Sequence, residues 1–414
     1  MRTFANLFLF FFMVDGLLSI IDDLLAITFG IEGLAPLRNL NALATLLLAV
    51  PMFFSLGFDR RLPKRMFLPL LLFLLWSTVG CWPLTGLIPL PKLSLLAAFL
   101  QLILGTLVLA YQRYRSGSLQ LRPDDFSGTS FSLTHTLGYF AVTLLCLPVI
   151  AVYLAVASVS HQVETQTAGF MRIGLDGLYM KERSYRQGEK EVRLSGMIHI
   201  GEQSYYKQLA ESIENRKTLI LAEGVSDQQG LLKNRFDYSG LGNALGLSTQ
   251  QELAFDARHV DLAEIETIDW QDKEVSRPHI TVADVDLSTF KPLTVEFLNQ
   301  LGQLLTGNGS FRENFAAYNA WLEEHMTPDL YDSIMEDILD RRNEAVIRHL
   351  ERALNSYQTI VVPWGAMHMP AIEAALEEQG FTRSTERERL SLAYASIPVG
   401  ELIQRFKEAP SGQN

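Results

Sequence analysis

The sequence predicts two unlike parts: an all-α bundle of about five transmembrane helices over residues 1–160, and an α/β domain over residues 161–414 with a mainly parallel central sheet flanked by helices. Three observations predict this. The first part holds a series of apolar runs, each about as long as a bilayer crossing needs, roughly 20 residues. The charge divides at the same place, with 10 Lys/Arg against 7 Asp/Glu before residue 161 and 25 against 39 after it, net +3 and −14 within a total of −11. Past the boundary, short β-branched runs alternate with helical patterns, the mark of parallel strands joined by crossover helices.

The apolar runs cover residues 3–28, 38–57, 66–88, 93–112 and 133–158. Arg2 ahead of Leu7–Met13 looks like a signal sequence, but no small-residue cleavage site follows and further apolar runs do, so it reads as an uncleaved first helix. Basic residues gather in two loops, Arg60, Arg61, Lys64 and Arg65 in one and Arg113, Arg115 and Arg122 in the other. The remaining two loops hold only Arg38 and Lys92. This bias makes the two basic loops cytoplasmic. Five crossings then deliver the acidic domain to the periplasm or cell exterior, in an integral, multi-pass protein whose first partner is the lipid bilayer. Asp15 and Asp22 lie seven apart on one face of the first span, beside Asp23. They read as an ion or proton path; the plainer reading pairs Asp15 inside the bundle and ends the helix near Ile21, leaving Asp22 and Asp23 at the interface. Residues 159–168 read as a polar tether.

About 250 residues suffice to bury an independent core. So acidic a domain lacks the basic face that nucleic acid or anionic lipid requires, which leaves small molecules, metal ions and peptides as partners. Cys81 and Cys146 both lie in the apolar half, so the second half has no disulfide, thiolate nucleophile or sulfur ligand. Its reading starts with a hairpin turning at Leu175-Asp176-Gly177, then a strand over 191–200, a helix over 201–215 and a strand at Thr218–Ala222. Helical patterns follow at 299–305, 314–324 and 331–355, the last with Ile334, Ile338, Ala345, Leu350 and Leu354 facing inward. Thr359–Pro363 is another strand, and Pro370–Glu378 another helix.

Two strand ends carry one pattern, Gly196-Met197-Ile198-His199 and Gly365-Ala366-Met367-His368. Glycine allows a tight turn where the strand hands over to a helix. The histidine then sits over the crevice where parallel sheets bind ligands. Glu223 ends a third strand, Leu219-Ile220-Leu221-Ala222-Glu223. Two imidazoles and a carboxylate therefore converge on one sheet edge, a nitrogen and oxygen donor set suited to zinc, manganese or a similar divalent ion with water completing an open site. Such water ionises near neutral pH and attacks carbonyls. On the long helix, Arg342 is placed to stabilise an oxyanion and Asn343 to support a ligand, Arg341 preceding them; the alternative is an exposed basic turn. Asp256, Arg258, His259 and Asp261 form a weaker cluster, while Asp284 and Asp286 read as local pairing or a cap at Ser288. His259, His279, His325 and His349 have no partner at suggestive spacing.

These residues resemble the TraB/PrgY/GumN family, related to the TIKI proteins and more distantly to erythromycin esterase-like and ChaN-like proteins. The resemblance rests on Gly196–His199 with Gly201-Glu202, on Ala222-Glu223-Gly224, on Arg342-Asn343, and on Gly365–His368 with Gly380-Phe381, over roughly residues 190–385. It implies a metal-dependent hydrolase, in TIKI proteins an extracellular peptidase, with His199, Glu223 and His368 at the core of the site and Arg342 and Asn343 beside them. Two departures stand out: the family carries an acidic residue before the Arg-Asn pair, where this chain has Arg341, and many prokaryotic members place their spans after the domain. No His-Glu-x-x-His helix is present, so this is not a zincin pattern. The expectation is a membrane-anchored metal-dependent hydrolase, a peptidase foremost, cleaving an extracytoplasmic peptide or protein. Ester hydrolysis on the same site is a third reading. The competing class is a non-catalytic module binding metal, haem or a peptide pheromone.

Overall fold

The computed structural model describes residues 1–31, 33–213, 217–233, 248–249, 255–265, 277–306, 311–398 and 400. The chain divides into two compact units, Met1–Gln162 and Val163–Asn414.

In the first unit the apolar runs become five helices, α1 Arg2–Phe29, α2 Ala35–Phe58, α3 Lys64–Thr78, α4 Leu90–Ser116 and α5 Leu133–Gln166. Four of them are long and apolar enough to cross a membrane; α3, with 15 residues, is not. This corrects the expected five spans. At about 1.5 Å per residue α3 covers roughly 22 Å against a hydrocarbon core of about 30 Å. Its apolar run breaks where Gly80 and Cys81 turn at φ +74° and +61°. Its Met66, Phe67 and Leu70 are fully enclosed with Phe8 and Phe12 of α1 and Met52 and Leu56 of α2. The first helix does not stop near Ile21 but runs to Phe29, and α5 absorbs most of the supposed tether. Glycine sets two close approaches that the sequence reading passed over. A Cβ on Gly57 of α2 would stand 2.7 Å from the Tyr139 ring of α5, and one on Gly105 of α4 would strike Met13 of α1.

Both basic loops lie at the same end of this bundle. Arg60 donates from Nε to the Thr129 carbonyl, and Arg61 from Nη1 to the Phe126 carbonyl, so residues 59–65 meet the α4–α5 loop. Asn6, near the start of α1, exchanges hydrogen bonds with the Leu121 backbone at that end too. Trp82, beyond α3, accepts from the Tyr153 hydroxyl near the other end of α5.

The second unit opens with an antiparallel group, β1 Met171–Ile173, β2 Gly177–Gln187 and β3 Lys190–Met197. After the short β4 Ile200–Gly201 come α6 Gln203–Glu211, β5 Thr218–Ala222, β6 Ser248–Thr249, β7 Arg258–His259 and β8 His279–Val282. The helices α7 Pro292–Thr306, α8 Phe311–His325, α9 Pro328–Met335 and α10 Arg341–Ala353 follow, then β9 Thr359–Gly365, α11 Met369–Glu378 and β10 Thr382–Ala393. The sheet runs β1-β2-β3-β9-β5-β8-β7, with β10 also pairing β2. All pairings from β3 to β7 are parallel, as the strand–helix alternation requires. The inner four of these strands, β3, β9, β5 and β8, bury both faces. Leu194, Leu219, Leu221, Ile360 and Val362 join a cluster with Val346 and Leu350 of α10 and Ile372 and Leu376 of α11, while Ile220, Ile280 and Val361 pack with Ile213 in another.

β10 was not foreseen. Its Thr382–Arg389 half is charged or polar throughout, with no apolar alternation to read. Cross-strand ion pairs do the ordering instead: Arg172 to Glu388, Arg183 to Glu386, and Arg389 to Glu182, a carboxylate that Arg193 also holds.

Candidate functional site

Parallel strands in register end together, and here the register is Met197 opposite Gly365, Ile220 opposite Val361, and Ala222 opposite Val282. Whatever follows each strand is therefore delivered to one edge of the sheet: His199 after β3, Glu223 after β5, Asp284 after β8 and His368 after β9. This is the edge where α/β sheets bind ligands. The two glycines of the repeated motif do not act as tight left-handed turns, since neither is among the positive-φ glycines. Gly196 is instead a packing position, where a Cβ would press to 3.2 Å of Phe170. The loop before His199 is fixed by α6, whose Tyr205 and Tyr206 hydroxyls donate to the carbonyls of Gly196 and Ile198 at 3.0 and 2.6 Å.

Four of the five expected residues meet directly. Arg342 donates from Nη2 to Glu223 Oε1 and to Asp284 Oδ2, both at 2.7 Å, and from Nε to Asp284 Oδ1 at 3.0 Å. The other Glu223 oxygen accepts from the Gly365 backbone N–H at 2.8 Å. His368 places Nδ1 2.8 Å from Asn343 Oδ1 and Nε2 3.7 Å from Glu223 Oε1. An oxygen can only accept, so Nδ1 carries the proton and Nε2 keeps its lone pair facing the carboxylate. Arg342 and Asn343 reach this edge from the first turn of α10, which follows a π-helical turn at Glu336–Asp340. Such a turn changes the face a helix presents and is frequent at functional sites. Arg341 points elsewhere, to Asp337 and Glu336. His199 is exposed, yet near enough to add positive potential at both Glu223 and His368.

The cluster is buried, with side-chain exposures of 5% for Glu223, 0% for Asp284 and 11% for Arg342. Burial alone would raise the Glu223 carboxyl; the Arg342 guanidinium, aided by the two histidines, holds it below the usual glutamate range. Burial, with Arg342 adding to it, pushes the His368 imidazole down to about 4 against the opposing pull of Glu223 and Asp284. Near neutral pH His368 is therefore neutral, and Arg342 is the main charge that acts on the carboxylate. Burial likewise works against the Arg342 charge, but its bonds to Asp284 and Glu223 keep it protonated. Its paired donors are spent on carboxylates rather than held out for a substrate.

Asp284 is the residue that sequence reasoning undervalued. Only Asp286 behaves as a local cap, accepting from Ser288. Asp284, fully enclosed, grips Arg342 and accepts from the Gly224 N–H at 2.9 Å. The signal was present: Ile280-Thr281-Val282-Ala283-Asp284 repeats the pattern of Leu219-Ile220-Leu221-Ala222-Glu223, an apolar strand running into an acid. The weaker cluster dissolves, Asp256 making an exposed pair with Arg277 and Arg258 and His259 lying exposed on β7. His279 is a core residue against Tyr357, and His325 stacks on Trp321.

A metal fits this donor set in part. His368 Nε2 and Glu223 Oε1 are separated much as two ligands of one ion are, given bonds of about 2.0–2.2 Å. His199 is the third candidate. As the side chains stand, no three His, Cys, Asp or Glu residues among those described close around a common point.

No curated protein and no solved structure matches the chain at a significant level. The model of the TraB/PrgY/gumN family matches residues 287–385, the segment that supplies Arg342, Asn343 and His368 to the site, so over that part the chain is similar to the TraB/PrgY/gumN family.

Proposed function

We propose that the second unit is a metal-dependent hydrolase, a peptidase foremost, acting outside the cytoplasm on a peptide or protein and tethered by the N-terminal helices. The observation that carries the reading is the pairing at the sheet edge of a neutral, oriented imidazole nitrogen with a buried ionised carboxylate. His368, Glu223 and, after rotation of its exposed ring, His199 would hold a divalent ion such as zinc or manganese, which would supply an ionised water and polarise a carbonyl. Asn343 fixes the His368 tautomer and ring. Glu223, depressed below the ordinary range, suits the role of ligand better than that of proton acceptor, because a base works best near the operating pH. Arg342, shared between Glu223 and Asp284, is best read as the residue that keeps both carboxylates ionised and in place. The extracytoplasmic location is supported by the gathering of both basic loops at one end of the bundle.

The test is metal content and peptide hydrolysis by the purified full-length protein, alongside His199→Ala, His368→Ala and Glu223→Gln. The reading expects stoichiometric metal and turnover in the wild type, and loss of metal together with turnover in the histidine variants and in Glu223→Gln. Wild-type protein that binds metal, haem or peptide through both histidines yet cleaves nothing would return the binding module.

A further inference from the structure

Apart from that site, the first unit holds a polar lane that anchoring does not require. Asp15, midway along α1 and 8% exposed, is caged by two neutral amides. Asn41 Nδ2 of α2 donates to its Oδ1 at 3.2 Å and Gln101 Nε2 of α4 to its Oδ2 at 3.0 Å. The same amide nitrogens bond the Phe11 and Phe12 carbonyls, which fixes their orientation. Two turns further along α1, about 10 Å by helical rise, Asp22 and Asp23 share Arg38 at 3.3 and 2.7 Å, and Arg38 also bonds Ser94. Asp22 and Asp23 are 6% and 8% exposed, and among the described residues Asp22 Oδ1 and Asp23 Oδ2 have no hydrogen-bond partner.

The charges do not balance. Three buried carboxylates face a single guanidinium. Of the helices packed on α1, α2 brings only Arg38, α3 brings Lys64 and Arg65 at its start, and α4 brings Lys92 at its exposed start and Arg113 and Arg115 at its far end. No residue in 39–58, 66–91 or 93–112 carries a charge. An uncompensated carboxylate in a bilayer interior is costly, and the described residues of the bundle supply too little positive charge to offset three of them. Neutral amides orient a carboxylate without neutralising it, which leaves that place open to an exchangeable cation. On the side away from Asp22, Phe8, Phe12 and Phe67 close the bundle with fully buried rings, so entry would be from the Asp22 end.

We infer that Asp15, with Asn41 and Gln101, is a binding site for a small monovalent cation, a proton or a sodium ion, reached past Asp22 and Asp23. The experiment is infrared difference spectroscopy on the full-length protein in lipid nanodiscs, first lowering pH without sodium, then adding sodium at fixed pH. A proton site gives a buried carboxyl band that appears on acidification and is lost in Asp15→Asn. A sodium site gives a sodium-dependent carboxylate shift lost in the same variant. Gln101→Leu, which leaves Asp15 but removes one N–H donor, should move the responding band in either case. The inference is overturned if the wild type shows neither response, which needs no variant to fold, or if the response persists unchanged in Asp15→Asn.

Discussion

Replacing Arg342 by leucine keeps an apolar stem in a buried place and removes the charge that two carboxylates share. Glu223 Oε1 and Asp284 Oδ2 both lie 2.7 Å from the same guanidinium nitrogen, so without it they face each other. At a separation of about 5 Å and an effective dielectric constant of about 20, their repulsion is about 3 kcal/mol. Removal of one partner from a buried ion pair costs about 3–5 kcal/mol in general, and that range is expected here at pH 7. For a unit of this size it corresponds to a drop in Tm of about 6–20 °C. Thermal unfolding followed by tryptophan fluorescence is a suitable assay, since the guanidinium carbon sits 5.4 Å from the centre of the Trp364 ring. The pH dependence is the sharper part. In the wild type the Glu223 carboxyl is held low, so its contribution is present above the unfolded-state pKa and lost as pH falls through the folded value. In Arg342→Leu the sign reverses: burial now raises the folded value, the deficit is greatest at neutral pH, and protonation on acidification relieves it. The penalty should therefore shrink from pH 7 to pH 5, and most of it should vanish in Arg342→Leu/Glu223→Gln/Asp284→Asn. A single variant melting within about 2 °C of the wild type at pH 7, or a penalty that grows on acidification, would refute the reasoning.

Three further outcomes are expected. In metal-free protein His368, with its pKa at about 4 when folded, favours the neutral form; its contribution is complete above the ordinary histidine value of about 6.5 and lost as pH falls toward 4. That loss amounts to about 3 kcal/mol, so His368→Leu should be less acid-sensitive than the wild type, and equal slopes in denaturant titrations across that window would contradict it. Asn343→Ala should weaken metal binding by about 10- to 100-fold in chelator competition while leaving the fold intact; unchanged affinity would free His368 from this orienting bond. A reporter fused after Asn414 should be active only outside the cytoplasm, and one inserted within residues 117–132 only inside it; the opposite pattern would reverse the orientation.

Local features of the chain were enough to reveal the two parts, the four long apolar helices, the parallel sheet and the edge to which His199, Glu223 and His368 belong. Apolar runs, charge division and strand–helix alternation are one-dimensional signals, and parallel strands in register bring their following residues to one place without further information. Tertiary structure decided the rest. The run at 66–88 had the composition of a span, but a turn at Gly80 and Cys81 cut the helix to Lys64–Thr78. The Thr382–Arg389 segment acquired its strand from ion pairs with β2, a partner about 200 residues away in sequence that no local window contains. Arg342 looked available to a substrate in the sequence, and became a shared counter-ion only when β8 placed Asp284 beside Glu223. Pairing among buried charges depends on which groups lose water together, and that is fixed by packing across the fold rather than by spacing along the chain.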